Sequence, residues 1–117
     1  MDDELALAEL LAEVLRHRGY AVDVRSDGRR ALMTLRAQRY DLVVTDLMMP
    51  IMGGRELLSL MRGTPALADI PVIIITAMPE NLPSTGYQVA LEKPVSPDRL
   101  LDEVTRSLSG TFVQRAG

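Results

Sequence analysis

Four β-branched residues in a row, from Val72 to Ile75, lie between Pro71 and Thr76. An uninterrupted apolar run of this length and type is typical of a strand that is covered on both faces. Such strands occur mainly in parallel sheets that carry helices on both sides. The run therefore predicts a layered α/β fold with this strand near its centre.

The rest of the chain alternates between helical and strand-like patterns. Apolar residues at helical spacing predict helices over residues 4–18, 29–38, 53–62 and 97–108. Strands are predicted over residues 20–24, 42–45, 71–76 and 89–91. The stretch 79–86 is too short and proline-rich for an ordinary helix. Strands that alternate with helices predict a parallel sheet with helices on both faces.

Length and composition exclude several classes of protein. The 117 residues predict one domain over residues 1–109 and a tail or linker start over residues 110–117, which has no periodicity. A net charge of −3 without a basic stripe argues against a nucleic-acid-binding face. The chain has no cysteine, no run long enough to span a bilayer and an acidic N-terminus unlike a signal peptide. We therefore expect a soluble cytoplasmic domain that does not bind membranes.

Polar residues fall where strands are predicted to end. Asp46 closes the second strand, Thr76 and Lys93 follow later strands, and Asp2 and Asp3 stand where an absent first strand would end. Carboxyl ends of parallel strands meet at one edge of a sheet, so these groups should gather. Gathered carboxylates repel one another unless a hard cation such as Mg²⁺ joins them. Together with a lysine and a hydroxyl for phosphate oxygens, they predict a phosphoryl-accepting site.

Each of these residues alone has a plainer role. A single aspartate before a proline is more often a turn or capping residue, and an acidic pair at a helix start is more often solvated. A lone Thr would usually end a strand, and a lone Lys would be a surface charge. Only their occurrence together favours the phosphoryl-accepting interpretation.

The motifs that surround these residues are separate, ordered and spaced around one site. They are Gly19-Tyr20, Ser26-Asp27-Gly28, Ala31-Leu32, the stretch YDLVVTDLMMP over residues 40–50, Met52-Gly53-Gly54, Ala68-Asp69-Ile70-Pro71, Thr76-Ala77 and Glu92-Lys93-Pro94. From Asp2 to about Leu108, the chain resembles the receiver domain of two-component response regulators. The resemblance implies a flavodoxin-like three-layer α/β/α fold with strand order 2-1-3-4-5.

The resemblance also implies a role for each site residue. Asp46 corresponds to the phospho-acceptor. Asp2 and Asp3 correspond to the acidic pair that binds Mg²⁺ together with Asp46, and the backbone carbonyl of Met48 is a further ligand.

Three further positions are implied to serve the phosphoryl group itself. Thr76 corresponds to the hydroxyl residue that moves to bond this group after transfer, and Ala77 to the small residue that leaves access to it. Lys93 corresponds to the phosphate-contacting lysine, and its peptide bond to Pro94 is expected to be cis.

The chain departs from the family pattern in three places. Only Met1 precedes Asp2, so the family's first strand is missing or truncated, and we expect either an upstream start or another chain or segment in the gap. Ala90 stands where relatives carry an aromatic switch residue, and Tyr87 is nearby at the wrong position. The fourth helix of the family is shortened here.

The function that the resemblance implies is a phospho-accepting receiver in two-component or phosphorelay signal transduction. Its partner would be a histidine kinase or a histidine phosphotransfer protein, and a homodimer is left open. We expect no enzymatic activity beyond self-catalysed phosphorylation and slow autodephosphorylation. One alternative is a pseudo-receiver, a protein-interaction module independent of phosphate, which Ala90 and the absent strand favour. An aspartyl-phosphate hydrolase is disfavoured, because Met48 stands where such enzymes need a second aspartate.

Overall fold

The computed structural model describes residues 3–47 and 51–116, with side chains over residues 8–47 and 51–108. Its helices are α1 (Asp3–His17), α2 (Gly28–Ala37), α3 (Gly54–Arg62) and α4 (Pro97–Ala116). Its strands are β1 (Val43–Asp46), β2 (Val72–Thr76) and β3 (Val89–Glu92), and a short 3₁₀ turn spans Pro79–Asn81. These bounds confirm four predicted helices and three of the four predicted strands. No helix in the described residues is long and apolar enough to cross a membrane.

The three strands form a parallel sheet in the order β1-β2-β3. Asp46 on β1 is paired with Ile75 on β2, and Thr76 on β2 is paired with Glu92 on β3. All five residues of β2 are buried, as its apolar run predicted. Because the strands are parallel and in this register, β1, β2 and β3 all end at the same edge of the sheet.

Helices cover both faces of the sheet, and each face has its own apolar cluster. On one face α2 and α3 pack against alternate residues of β2; the buried members are Leu32, Leu35, Leu47, Leu57, Leu58, Met61, Leu67, Val72 and Ile74. On the other face α1 and α4 pack against the other apolar residues of β2. The buried members of this second cluster are Leu11, Leu15, Ile73, Ile75, Leu91, Leu100, Leu101 and Val104. The alternation of β2 between the two clusters explains why its sequence shows no polar face. This arrangement is the predicted three-layer α/β/α fold.

Local signals in the sequence fix the ends of several helices. The side chain of Asp27 accepts a hydrogen bond of 2.8 Å from the backbone N–H of Arg30 and caps the start of α2. Ser96 does the same for α4, with 3.0 Å between its Oγ atom and the N atom of Arg99. Gly19 follows α1 with a φ of 95°, a conformation that glycine adopts without steric cost.

The strand predicted over residues 20–24 is not part of the sheet among the described residues. Tyr20 and Val22 pack against the α1/α4 cluster, and burial alternates along the segment as it would in a strand. A strand also needs a neighbouring strand to pair with its backbone groups, and within the described residues no strand pairs with this segment. The three strands of the sheet therefore correspond to the third, fourth and fifth strands of the family.

The segment between β2 and β3 contains only the 3₁₀ turn, as the short proline-rich sequence predicted. Arg62 of α3 is hydrogen-bonded to the far end of this segment, since its Nε atom lies 2.9 Å from the carbonyl oxygen of Gly86. The Nη1 atom of Arg62 also lies 2.9 Å and 3.0 Å from the carbonyl oxygens of Ala68 and Ile70, which precede β2.

At the C-terminus, α4 runs to Ala116 and is longer than the predicted helix, which ended at Leu108. The division of the chain at residue 109 stays a prediction.

Candidate functional site

Asp46 and Lys93 are in direct contact at the carboxyl edge of the sheet. Asp46 ends β1, and Lys93 directly follows β3. The Nζ atom of Lys93 lies 2.7 Å from Oδ2 of Asp46, and the side chains are 18% and 24% exposed. A charge-assisted hydrogen bond in a partly buried place is stronger than one in open solvent. The structure thus brings together the acceptor and the lysine that the sequence predicted.

The backbone around Lys93 is tied to the end of β2. Its N–H donates to the carbonyl oxygen of Thr76 at 2.8 Å, and its peptide bond to Pro94 is cis, as expected. Because β2 lies between β1 and β3, the lysine side chain must cross the end of β2 to reach Asp46. Lys93 is also the single lysine of the chain.

Thr76 ends the central strand, at the same edge as Asp46 and Lys93. Its side chain is buried, and its Oγ1 atom accepts a hydrogen bond of 2.9 Å from the backbone N–H of Met78. Ala77 follows directly and is exposed. The hydroxyl is therefore hydrogen-bonded to the loop after β2, and the adjoining small residue is exposed.

Gly54 holds the start of α3 against the backbone of Asp46. Its N–H donates to the carbonyl oxygen of Leu47 at 2.9 Å, and a Cβ atom built on it would lie 2.3 Å from the carbonyl oxygen of Asp46. No side chain fits in that space, so this position needs glycine. The N-terminus of a helix carries partial positive charge, which favours the neighbouring carboxylate. The sequence indicated a glycine-containing loop here and gave no sign of this close approach.

A cavity of about 310 Å³ opens beside the C-terminal end of β1. It is lined by Leu47, Gly53, Arg55, Glu56 and Asn81. An Nη2–H of Arg55 donates to the backbone carbonyl of Asn81, which joins α3 to the 3₁₀ turn. Sequence analysis missed Arg55, because a contact between a side chain and a distant backbone oxygen leaves no pattern in the sequence.

The loop between β1 and α3 contains an unusual backbone conformation. Ile51 has a φ of 68°, in the left-handed region that β-branched residues rarely adopt, and its side chain is 77% exposed. Backbone conformations of this kind persist only where the surroundings enforce them, and they are common at functional sites. The strained residue lies five positions after Asp46, in the loop that borders the site.

The predicted magnesium site involves residues that the structure describes only in part. Asp2 and Met48 lie outside the described residues, and for Asp3 the structure gives the backbone at the start of α1. Among the described side chains no group of three or more His, Cys, Asp or Glu residues could hold a metal ion. The carboxylate of Asp46 is a ligand of the kind that Mg²⁺ prefers, and its contact with Lys93 uses Oδ2. The chemistry of the Asp46 carboxylate therefore fits Mg²⁺, and the complete set of ligands to the ion stays a prediction.

Ala90 and Tyr87, at and near the family's aromatic position, lie on the side of the sheet that faces α2 and α3. Ala90 is paired with Ile74, and both Ala90 and Tyr87 pack against the apolar cluster of that face. Both side chains are half-buried.

A family model and the similar proteins all point to the same protein family. A family model described as the response regulator receiver domain matches residues 1–105. A response regulator receiver protein of Anaeromyxobacter is 37% identical over 105 residues, which cover 87% of this chain and 44% of that protein. This chain spans about half the length of the curated relatives it matches.

Two solved structures illustrate the structural likeness. Response regulator TrrA of Thermotoga maritima, in complex with Mg²⁺-BeF, is 31% identical with a TM-score of 0.79, and the match covers 91% of this chain and 93% of that chain. The receiver domain of sensor histidine kinase PA1611 from Pseudomonas aeruginosa has a magnesium ion coordinated in its active site cleft. It is 25% identical with a TM-score of 0.83, and the match covers 93% of both chains.

Proposed function

This chain belongs to the response regulator receiver domains of two-component signalling, and on that premise we propose that Asp46 accepts a phosphoryl group from a phosphohistidine partner. The observation that carries the proposal is the 2.7 Å contact between Lys93 and Asp46. It places a cation at the carboxylate where the phosphoryl group would arrive. The partner would be a histidine kinase or a histidine phosphotransfer protein, and the reaction would take place in the cytoplasm.

In the proposed reaction an oxygen of the Asp46 carboxylate attacks the phosphorus atom of the donor. The new bond joins that oxygen to phosphorus, and the bond from phosphorus to the imidazole nitrogen breaks. The electron pair of the broken bond stays on the imidazole, which takes up a proton as it leaves. The product is an acyl phosphate on Asp46 and a neutral histidine on the partner.

The residues around Asp46 lower the barrier by charge and position. The ammonium group of Lys93 would bond the phosphoryl oxygens, whose negative charge is spread out in the transition state. The Thr76 hydroxyl would form a second bond to this group after transfer, and the exposed Ala77 leaves room for it. Asp46, Asp3, Asp2 and the carbonyl of Met48 would hold Mg²⁺. Bound there, this ion neutralises charge on the carboxylates and on the phosphoryl oxygens.

We propose no turnover of a separate substrate. The acyl phosphate would be hydrolysed slowly by water at the same site, so the domain would act as a timed switch. The alternative of a pseudo-receiver is less well supported, because Asp46, Thr76 and Lys93 all stand at the carboxyl edge of the sheet. A module that binds partners without phosphate does not need these three groups together.

The experiment is incubation of the protein with Mg²⁺ and phosphoramidate, read by intact mass. Wild-type protein should gain one phosphoryl group, and Asp46→Ala should gain none. Asp41→Ala is the matched control, because Asp41 is an exposed aspartate shortly before β1 and should not be needed for the adduct. Chelation of Mg²⁺ should abolish the gain in mass. A wild-type protein that stays unmodified, or an adduct that survives Asp46→Ala, would contradict the proposal.

A further inference from the structure

The turn after β2 is hydrogen-bonded to the Thr76 hydroxyl. Thr76 is 1% exposed, and its Oγ1 atom accepts the N–H of Met78 at 2.9 Å. Met78 is in turn part of a compact turn, because its carbonyl oxygen accepts the N–H of Asn81 at 3.0 Å. The N–H of Leu82 donates to the carbonyl oxygen of Pro79 at 3.2 Å. The hydroxyl is therefore hydrogen-bonded, through Met78, to a turn that has two hydrogen bonds of its own.

Arg55 holds the same turn from the side of α3. Its Nη2–H donates to the carbonyl oxygen of Asn81, and both residues line the cavity next to Leu47. Arg55 is the second residue of α3, directly after Gly54, which packs against the backbone of Asp46. A hydrogen bond from a guanidinium to a carbonyl is charge-assisted and stronger than a neutral one. A continuous set of contacts thus joins α3 to the Thr76 hydroxyl through Arg55, Asn81 and Met78.

We propose that Arg55 is a positioning residue that holds the turn Pro79–Asn81 and thereby keeps the Thr76 hydroxyl in its resting hydrogen bond to Met78. While it accepts from Met78, the Thr76 hydroxyl keeps its own hydrogen for a phosphoryl oxygen, but it can move toward Asp46 only if this bond breaks or the turn moves with it. A turn fixed at Asn81 opposes that movement. The population of the engaged state therefore depends on Arg55, because removal of a contact made only in the resting state shifts the equilibrium away from it.

The proposal rests on the proposed function only for its last step, the engagement of a phosphoryl group by Thr76. The hold of Arg55 on the turn concerns the unphosphorylated protein and can be measured without any phosphodonor. The two ideas can therefore fail separately.

The first measurement is amide hydrogen exchange of Met78 in the unphosphorylated full chain. In Arg55→Ala the Met78 amide should exchange at least about threefold faster, since the turn opens more often. Arg55→Lys should stay close to wild type, because an ammonium also donates to a carbonyl. Arg36→Ala is the matched control, because Arg36 is an exposed arginine in the last turn of another helix, α2. An unchanged Met78 exchange rate in Arg55→Ala overturns the proposal.

The second measurement is titration with beryllofluoride and Mg²⁺, in which beryllofluoride stands in for the phosphoryl group. Arg55→Ala should bind it about three to ten times more tightly than wild type, because less of the protein is held in the resting state. Faster Met78 exchange without tighter binding would overturn the coupling to Thr76. Wild-type protein that neither binds beryllofluoride nor forms an Asp46 adduct would instead overturn the proposed function. The exchange rate of Met78 would then decide the role of Arg55 alone.

Discussion

The ammonium of Lys93 lies 2.7 Å from the carboxylate of Asp46, although the two residues are 47 positions apart in the chain. The contact exists because β1 and β3 flank β2 in a parallel sheet and end at the same edge. Lys93 is anchored there by its backbone N–H, which donates to Thr76 at 2.8 Å. The position of the cation is thus set by the sheet itself.

Removal of this cation should slow phosphorylation. In Lys93→Met the phosphoryl oxygens lose an ammonium partner, and the initial rate of adduct formation with phosphoramidate should fall at least about tenfold, which corresponds to about 1.4 kcal/mol of barrier. The measurement is the time course of intact mass. Lys93→Arg keeps the charge and should recover part of the rate, since a guanidinium has different geometry. A Lys93→Met variant as fast as wild type would exclude a role for the lysine in transfer.

The unique lysine permits a chemical version of the same test. Acylation of amines can modify only Lys93 and the α-amino group, since the chain has no other lysine. Acylated wild type should match Lys93→Met in its slow phosphorylation. Acylated Lys93→Met, modified at the α-amino group alone, is the control and should be no slower than the unmodified variant.

Gly54 should be indispensable to the fold beside Asp46. Gly54→Ala would place a Cβ atom 2.3 Å from the carbonyl oxygen of Asp46, so α3 or the end of β1 must move. The free energy of unfolding should fall by about 2 kcal/mol or more, as expected for overpacking against backbone. Urea denaturation followed by circular dichroism measures this loss.

Gly63→Ala is the matched control for Gly54→Ala. Gly63 caps the C-terminal end of the same helix with a φ of −85°, and the nearest atom to an added Cβ would be 3.6 Å away. This variant should be as stable as wild type or more stable by about 0.4–1 kcal/mol, because alanine restricts the unfolded chain. Equal losses in the two variants would show that the close approach at Gly54 is not what limits substitution.

Tyr40 should make stability depend on pH in the alkaline range. Its hydroxyl donates to the carboxylate of Asp23, and this hydrogen bond, with burial and the charge of Asp23, raises the pKa of Tyr40 above its usual value. Because the folded-state pKa is the higher one, the stabilisation is complete below the unfolded pKa of about 10 and is lost as pH rises through the folded value. The melting temperature of wild type should therefore exceed that of Tyr40→Phe at neutral pH, and the difference should shrink above about pH 10.

Absorbance of tyrosinate gives an independent check on Tyr40. The chain has three tyrosines, and the part of the tyrosinate signal that is lost in Tyr40→Phe should have a pKa above the usual value of about 10. A difference in melting temperature that stays constant from neutral to strongly alkaline pH would contradict the assignment. The hydrogen bond to Asp23 would then not be formed in solution.

The sequence predicted the parts of the molecule that depend on residue patterns. The apolar run Val72–Thr76 could be assigned to a doubly covered strand, because burial on both faces requires apolar residues at every position. Asp46 and Lys93 could be brought together, because strand order and direction place strand ends at one edge. Both conclusions follow from general rules of parallel sheets, namely the burial of both faces and the shared direction of the strands.

Other features could not be predicted because they depend on partners that a pattern does not reveal. Alternation over residues 20–24 indicated two faces correctly, but alternation does not show whether a neighbouring strand is present. The contacts of Arg55 and Arg62 with distant carbonyl oxygens have no signature, since any residue offers such an oxygen. The close approach at Gly54 appears only when the helix start is placed against β1.

The outer edge of β1 is paired with no strand in the part of the chain that the structure describes. β1 pairs only with β2 among the described residues, and its Val43 N–H donates to Pro71 on that side. Successive N–H groups in a strand point to opposite sides, so the N–H of Val44 points to the open edge. An edge of unpaired backbone groups between apolar side chains readily accepts another strand.

We expect that an apolar segment of about six residues, a common strand length, joined before Met1 will pair with this edge. The amide of Val44 should then exchange more slowly with solvent, and the melting temperature should rise by about 4–8 °C for each kcal/mol gained, because backbone groups become paired and apolar surface is buried. A Gly/Ser extension of equal length is the control and should change neither quantity. Amides of β2, which is already paired on both sides, should be protected in both variants. A rise in melting temperature without slower exchange at Val44 would show that the segment binds elsewhere on the domain.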